Sequence, residues 1–168
     1  LGYVFEGLKD RGLWEDTLVI VVGDHGEGLG DHGENTHGMF IYRATTRVPL
    51  VIKFPGSRYA QKRVKARVSQ VDILPTVLSV LGLESKGGVD GQSLVPNVRG
   101  EQVNGRKTYS EVFIPRTFNW SELTGIRSGH HFYIQAPRPE LYDISGGDRE
   151  TVNLFAKEPD LAGSLKTE

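Results

Sequence analysis

Residues 17–56 read TLVIVVGDHGEGLGDHGENTHGMFIYRATTRVPLVIKFPG, two aliphatic runs separated by a stretch rich in glycine, acid and histidine. The first run, residues 17–22, is short, unbroken and largely β-branched, and it stops at Gly23. The second, residues 48–54, stops at Pro55-Gly56. Both have the pattern of strands covered on two faces, as in a parallel sheet. Between them lie six glycines, at 23, 26, 28, 30, 33 and 38, too many for regular structure.

Working outward, residues 3–11 place Val4, Phe5 and Leu8 on one helical face before Gly12. A second helix is expected behind Asp72, with Leu74, Val77, Leu78 and Leu81 inward, Pro75 in the first turn and Gly82 at the end. Residues 84–106 are rich in Gly, Ser, Asn and charge and read as a connection. Beyond it, short β-like pieces at 107–113, 123–127, 131–135 and 140–144 come with turn signals and no long helix between them, which predicts a small antiparallel sheet. Residues 158–166 are expected to form a last helix behind Pro159. The fold class is α/β: an α/β layer over residues 1–100, then a small α+β subdomain with an antiparallel sheet over 101–168.

Composition narrows the function. The 168 residues carry 20 Lys and Arg against 21 Asp and Glu, a net charge of −1 that gives no field to hold a polyanion, so nucleic acid is not an expected partner. Hydrophobic residues make up 38% and charged residues 24%, globular values that argue against disorder. No aliphatic run approaches the ~20 residues that span a bilayer, and a soluble chain is expected. With no cysteine, a thiol nucleophile and thiolate metal sites are excluded. Charge is uneven: no Lys or Arg lies between Arg11 and Arg43, while Glu15, Asp16, Asp24, Glu27, Asp31 and Glu34 do. A cation would be welcome there.

Residues 23–38, GDHGEGLGDHGENTHG, hold three of the five histidines and four carboxylates directly after a strand. In open α/β sheets ligands bind beyond the carboxyl ends of strands, where Asp24 and His25 fall. An adjacent Asp-His pair offers one oxygen and one imidazole nitrogen to a divalent ion, and glycines let the backbone close around it. A solvated polar loop would explain a lone pair of this kind. The strand, the glycines and the lysine-free surroundings favour metal ligation. Gly28, Gly30 and Gly33 fit G-x-G-x-x-G, but the motif lies five residues past Gly23 and Val48 stands where a ribose-binding acid belongs. The doubled DHGE at 24–27 and 31–34 is one repetition of four residues, and only the first copy is read as ligating. Glu27, Asp31 and His32 could orient ligands or be solvated. His130 and His131 read as surface or packing residues, and Trp14, Trp120, Tyr109, Tyr133 and Tyr142 as core.

The stretch from Val19 to Gly56 resembles the metal-site segment of the C-terminal half of sulfatases, in the alkaline-phosphatase-like superfamily. VSQVDILPTVLSVLGL at 68–83, VDGQSLVP at 89–96, YSEVF, GIRSGHHFYI and APRPELYDISGGDRETVNL at 136–154 follow in the same order. The resemblance implies the C-terminal part of an α/β/α sandwich and a hydrolase of sulfate esters. Asp24 and His25 match two ligands of the family's single divalent cation, Ca²⁺ by resemblance, with Mn²⁺ or Mg²⁺ as options because one donor is an imidazole. His37, 13 residues after Asp24, falls where many sulfatases carry a lysine that contacts the sulfate and the leaving oxygen. An imidazole there could assist the departing oxygen, as a catalytic group, or join the ligands as in phosphatase relatives.

The family's nucleophile, a cysteine or serine in C/S-x-P-x-R, has no match here, nor do its other Asp ligands. The chain also begins in a helix without Met. It is therefore expected to be a fragment, inactive alone, with half a metal site and the nucleophile upstream. Export to a periplasm or the extracellular space is what many family members show. Alternatives within the superfamily are a phosphodiesterase, a phosphonate hydrolase or a phosphoglycerol transferase; outside it, a non-catalytic metal-stabilised domain.

Overall fold

In a computed structural model, residues 1–101, 105–146 and 150–167 are described; parts of the 84–106 connection and of the 136–154 motif lie outside them. The chain forms two compact units that interleave in sequence, residues 1–22 with 49–104 and residues 23–48 with 105–168.

The first unit contains α1 (Gly2–Asp10), β1 (Val19–Val22), β2 (Leu50–Lys53), α3 (Ile73–Leu81) and α4 (Val95–Arg99). Here β1 and β2 pair antiparallel, Ile20 opposite Ile52 and Val21 opposite Val51, rather than as the parallel, doubly covered strands their composition suggested. Neither strand is buried throughout, and Val51 is 62% exposed. An unbroken aliphatic run carries no mark of strand direction, which is set by the path of the intervening chain. The Lys53 ammonium donates to the carbonyl of Thr17 at 3.1 Å and lies 4.8 Å over the Trp14 ring, which ties β2 to the turn after α1.

The expected helix behind Asp72 is present as α3, ending at Gly82. Asp72 does more than precede it. Its fully buried carboxylate accepts the N–H of Ser69 at 2.8 Å and of Gln92 at 2.9 Å, and Thr76 donates to its carbonyl at 2.6 Å. Thr76 in turn accepts the N–H of Leu94 at 2.8 Å, so VDGQSLVP is held to α3 by buried polar bonds. Leu74 and Leu81, expected inward, are 56% and 59% exposed. Nearby, Arg99 donates to the Tyr59 hydroxyl at 3.3 Å, and that guanidinium holds the phenol below its ordinary pKa of 10.

The second unit contains α2 (Arg43–Thr46), β3 (Thr108–Val112), β4 (Leu123–Ser128), β5 (His131–Gln135), β6 (Glu140–Asp143) and α5 (Pro159–Lys166). The strands form the expected antiparallel sheet in sequential order, with Tyr109 opposite Ile126, Ile126 opposite Tyr133 and Phe132 opposite Tyr142. Alternation along β5 and β6 supplies two faces. Phe132, Ile134 and Tyr142 pack with Ile41, while Tyr133 and Leu141 pack with Ala162 and Leu165 of α5. Ile41 follows the glycine-rich stretch, so the sheet anchors one end of that loop. Arg127 strengthens the anchor: it stacks over the Phe132 ring at 3.4 Å and donates to the Ile41 carbonyl at 3.2 Å and the Thr46 hydroxyl at 3.1 Å. The phenols of Tyr42 and Tyr142 both donate to one oxygen of Glu140 at 2.8 Å. Burial, then that carboxylate, pushes both phenols well above their ordinary range. Tyr109 and Trp120, expected in the core, are 58% and 60% exposed.

Among the described residues no helix is long and apolar enough to cross a membrane.

Candidate functional site

Asp24 and His25 follow β1 in the chain and open an irregular loop that runs to α2. Two close backbone approaches shape it. The Gly26 N–H donates to the Thr45 carbonyl at 2.8 Å, and a Cβ at Gly26 would stand 2.0 Å from the Ala44 carbonyl oxygen. The Gly28 N–H donates to the Thr36 carbonyl at 2.6 Å, and a Cβ there would stand 2.2 Å from the Glu34 carbonyl oxygen. Only glycine fits either place. The loop therefore brings its far end, residues 34–37, back beside its start.

The first DHGE copy faces solvent. The Asp24 side chain is 90% exposed, and the His25 main-chain N–H donates to its Oδ1 at 3.0 Å. That bond and a second from its own N–H hold its carboxyl below the ordinary value of 3.8. His25 Nδ1 lies 2.8 Å from the Gly26 carbonyl. A carbonyl only accepts, so Nδ1 carries the hydrogen and Nε2 keeps its lone pair, the tautomer that suits a metal ligand. Nε2 lies 3.7 Å from Asp24 Oδ2, a separation that two donors to one ion at ~2.0–2.3 Å can span. Asp24 and His25 thus fit two corners of a divalent-cation site. Among the described residues no group of three or more His, Asp or Glu side chains converges to hold an ion, so this pair would need donors from elsewhere.

His37 joins the pair. Its ring stacks on His25 with centroids 3.9 Å apart and planes 29° from parallel, and its Nδ1 lies 3.0 Å from Glu27 Oε2. The three residues singled out in the sequence stand together, with Glu27 as a fourth member.

The second copy is tied into the loop by its contacts, although only Glu34 of its four residues is buried. His32 stacks on Tyr42 at 3.6 Å, its Nδ1 meets Asp31 Oδ1, and its Nε2 lies 2.6 Å from the Glu150 carbonyl. Glu34 is 6% exposed and accepts the Met39 N–H at 2.7 Å. Glu150, also buried, accepts the Arg43 N–H at 3.1 Å and has Arg127 at 3.6 Å; desolvation pushes its carboxyl above the ordinary 4.5. Gly28, Leu29, Asp31, His32, Tyr142, Glu150 and Thr151 line an open cleft of about 710 Å³. His130 lies in the turn between β4 and β5, and His131 opens β5. Sequence reasoning left Glu27 undecided and passed over Glu34 and Glu150. Glu34 is the counterpart of Glu27 in the repeated tetrapeptide, a signal that could have marked it; Glu150, 118 residues from His32, offers none.

The fold and the loop define an alkaline-phosphatase-like α/β protein. A phosphonate monoester hydrolase of Agrobacterium radiobacter superposes with a TM-score of 0.82 at 30% identity, over 99% of this chain and 36% of that one. In sequence the chain is 44% identical to the multifunctional alkaline phosphatase superfamily protein PehA of Trinickia caryophylli, over 99% of this chain and 35% of that protein. It is 31% identical to arylsulfatase K of Bos taurus, over 98% of this chain and 32% of the relative. Residues 1–83 match the family model described as Sulfatase. It spans about a third of the length of the curated relatives it matches.

Proposed function

We propose that the protein of which this chain forms part is a metal-assisted hydrolase of sulfate esters. The supporting observation is the convergence of Asp24 Oδ2 and His25 Nε2 to 3.7 Å with the His37 ring stacked on His25. Asp24 and His25 hold one side of a divalent cation, which neutralises charge on the ester oxygens when bound. An imidazole donor suits Mn²⁺ better than the hard, oxygen-preferring Ca²⁺ or Mg²⁺. The nucleophile comes from outside this chain, and His37 hands a proton to the departing oxygen. Export to a periplasm or the extracellular space belongs to the same reading.

A second reading, hydrolysis of phosphonate or phosphate esters, is favoured by the imidazole at 37 where many sulfatases have lysine, and by the names of PehA and the Agrobacterium enzyme. Turnover of aryl sulfate, phosphonate monoester and phosphate diester by the full-length protein separates the two. A His37→Ala variant as active as wild type on every ester would remove His37 from the mechanism.

A further inference from the structure

We infer that Glu27 is a positioning residue for His37, holding Nδ1–H on a carboxylate so that Nε2, once the ring carries its second proton, is the atom that hands that proton to the departing oxygen and is left with its lone pair. This rests on the hydrolase reading above. At neutral pH a carboxylate only accepts, so the 3.0 Å contact between Glu27 Oε2 and His37 Nδ1 places the hydrogen on Nδ1. The stack on His25, 3.9 Å between centroids, sets the plane of the same ring. One contact fixes the tilt and the other the rotation, which leaves the imidazole a single presentation.

The backbone is built to hold this pair. Glu27 stands between Gly26 and Gly28, whose N–H groups donate to the carbonyls of Thr45 at 2.8 Å and of Thr36 at 2.6 Å. Thr36 immediately precedes His37, so the main chain that carries the carboxylate is bonded directly to the main chain that carries the imidazole. The Glu27 and His37 side chains remain 42% and 44% exposed. A half-exposed pair of this kind adds little to stability, so removing Glu27 should leave the fold intact and alter the reaction. A group that delivers a proton gains most from such alignment when the leaving oxygen is a poor one, because an activated phenolate departs without help.

The test uses the full-length protein as wild type, Glu27→Ala, Glu27→Gln, His37→Ala and the Glu27→Ala/His37→Ala double variant. Each is assayed on a nitrophenyl ester and on an unactivated alkyl ester of the acid that wild type hydrolyses best. Glu27→Ala should lower kcat on the alkyl ester by ~10–100-fold with KM within ~2-fold, and change the nitrophenyl rate little. The double variant should be no slower than His37→Ala, and Glu27→Gln should retain most of the rate because its amide oxygen still accepts from Nδ1. Imidazole ¹⁵N shifts should show the hydrogen on Nδ1 of His37 in wild type and a mixed population in Glu27→Ala. Additive losses, equal losses on both esters, or an unprotonated Nδ1 in wild type would overturn the positioning role alone. Failure of wild type to hydrolyse any of these esters would overturn the hydrolase reading and the inference with it.

Discussion

Residues 24–27 and 31–34 are the same tetrapeptide, DHGE, and they meet opposite fates. In the first copy the Asp24 side chain is 90% exposed, and the free ring nitrogen of His25 approaches a carboxylate oxygen. In the second, His32 has both ring nitrogens engaged and lies flat on Tyr42, while Glu34 is buried and caps the Met39 N–H. Even the two glycines are needed for different reasons. Gly26 is demanded by the Ala44 carbonyl, whereas Gly33 has open space around it and a φ of +81°. Identical chemistry thus stands open to solvent in one place and anchors the loop in the other. Each residue's role is set by what the rest of the fold puts beside it.

That contrast can be broken at several points. The largest effect is expected from Asp24→Ala or His25→Ala in the full-length protein. Loss of a ligand should remove several kcal/mol of charge stabilisation, roughly 10²–10³-fold in kcat/KM, with bound metal falling in parallel in an elemental assay. His32→Ala should leave metal content unchanged, and metal loss in that variant would erase the distinction between the copies. Next comes Gly26→Ala, which forces a Cβ against backbone and should lower stability by about 3 kcal/mol in chemical denaturation. Its counterpart Gly33→Ala meets no atom and carries only the left-handed penalty, about 1 kcal/mol by the same measurement. Equal costs would mean that the loop relaxes around Gly26.

The smallest effect belongs to Glu150, whose carbonyl anchors His32. Its carboxyl pKa is raised by desolvation, so its contribution to stability is complete below the unfolded value near 4.5 and is lost as pH rises through the folded value. Glu150→Gln keeps an oxygen for the Arg43 N–H and should flatten that decline. A wild-type-like pH profile of Tm in this variant would show that Arg127 already offsets the cost.

Much of this arrangement is legible in the residues themselves. The β3–β6 sheet follows from alternating apolar pieces with a turn signal after each, and α5 from Pro159 in a first turn. The Asp24–His25 pair stands out because few other sequence features put acid, imidazole and glycine after a strand. The antiparallel pairing of β1 with β2 was hidden because unbroken aliphatic runs look alike in either direction. Burial of Glu34 and Glu150 depends on partners brought in by the loop's return and by a segment more than a hundred residues away. Pairing of Glu27 with His37 depends on the Gly28–Thr36 bond, which no local propensity announces.

The shared carboxylate between Tyr42 and Tyr142 gives the molecule an optical label. Spectrophotometric titration in alkali should show the Tyr59 phenolate first, because Arg99 lowers it, and the Tyr42 and Tyr142 phenolates last, because burial and Glu140 resist them. Tyr59 belongs to the unit of residues 1–22 and 49–104, and the other two belong to the unit of residues 23–48 and 105–168. Each unit therefore carries its own chromophore with a distinct alkaline onset. Absorbance then tells Tyr59 from the pair on Glu140 without any added probe.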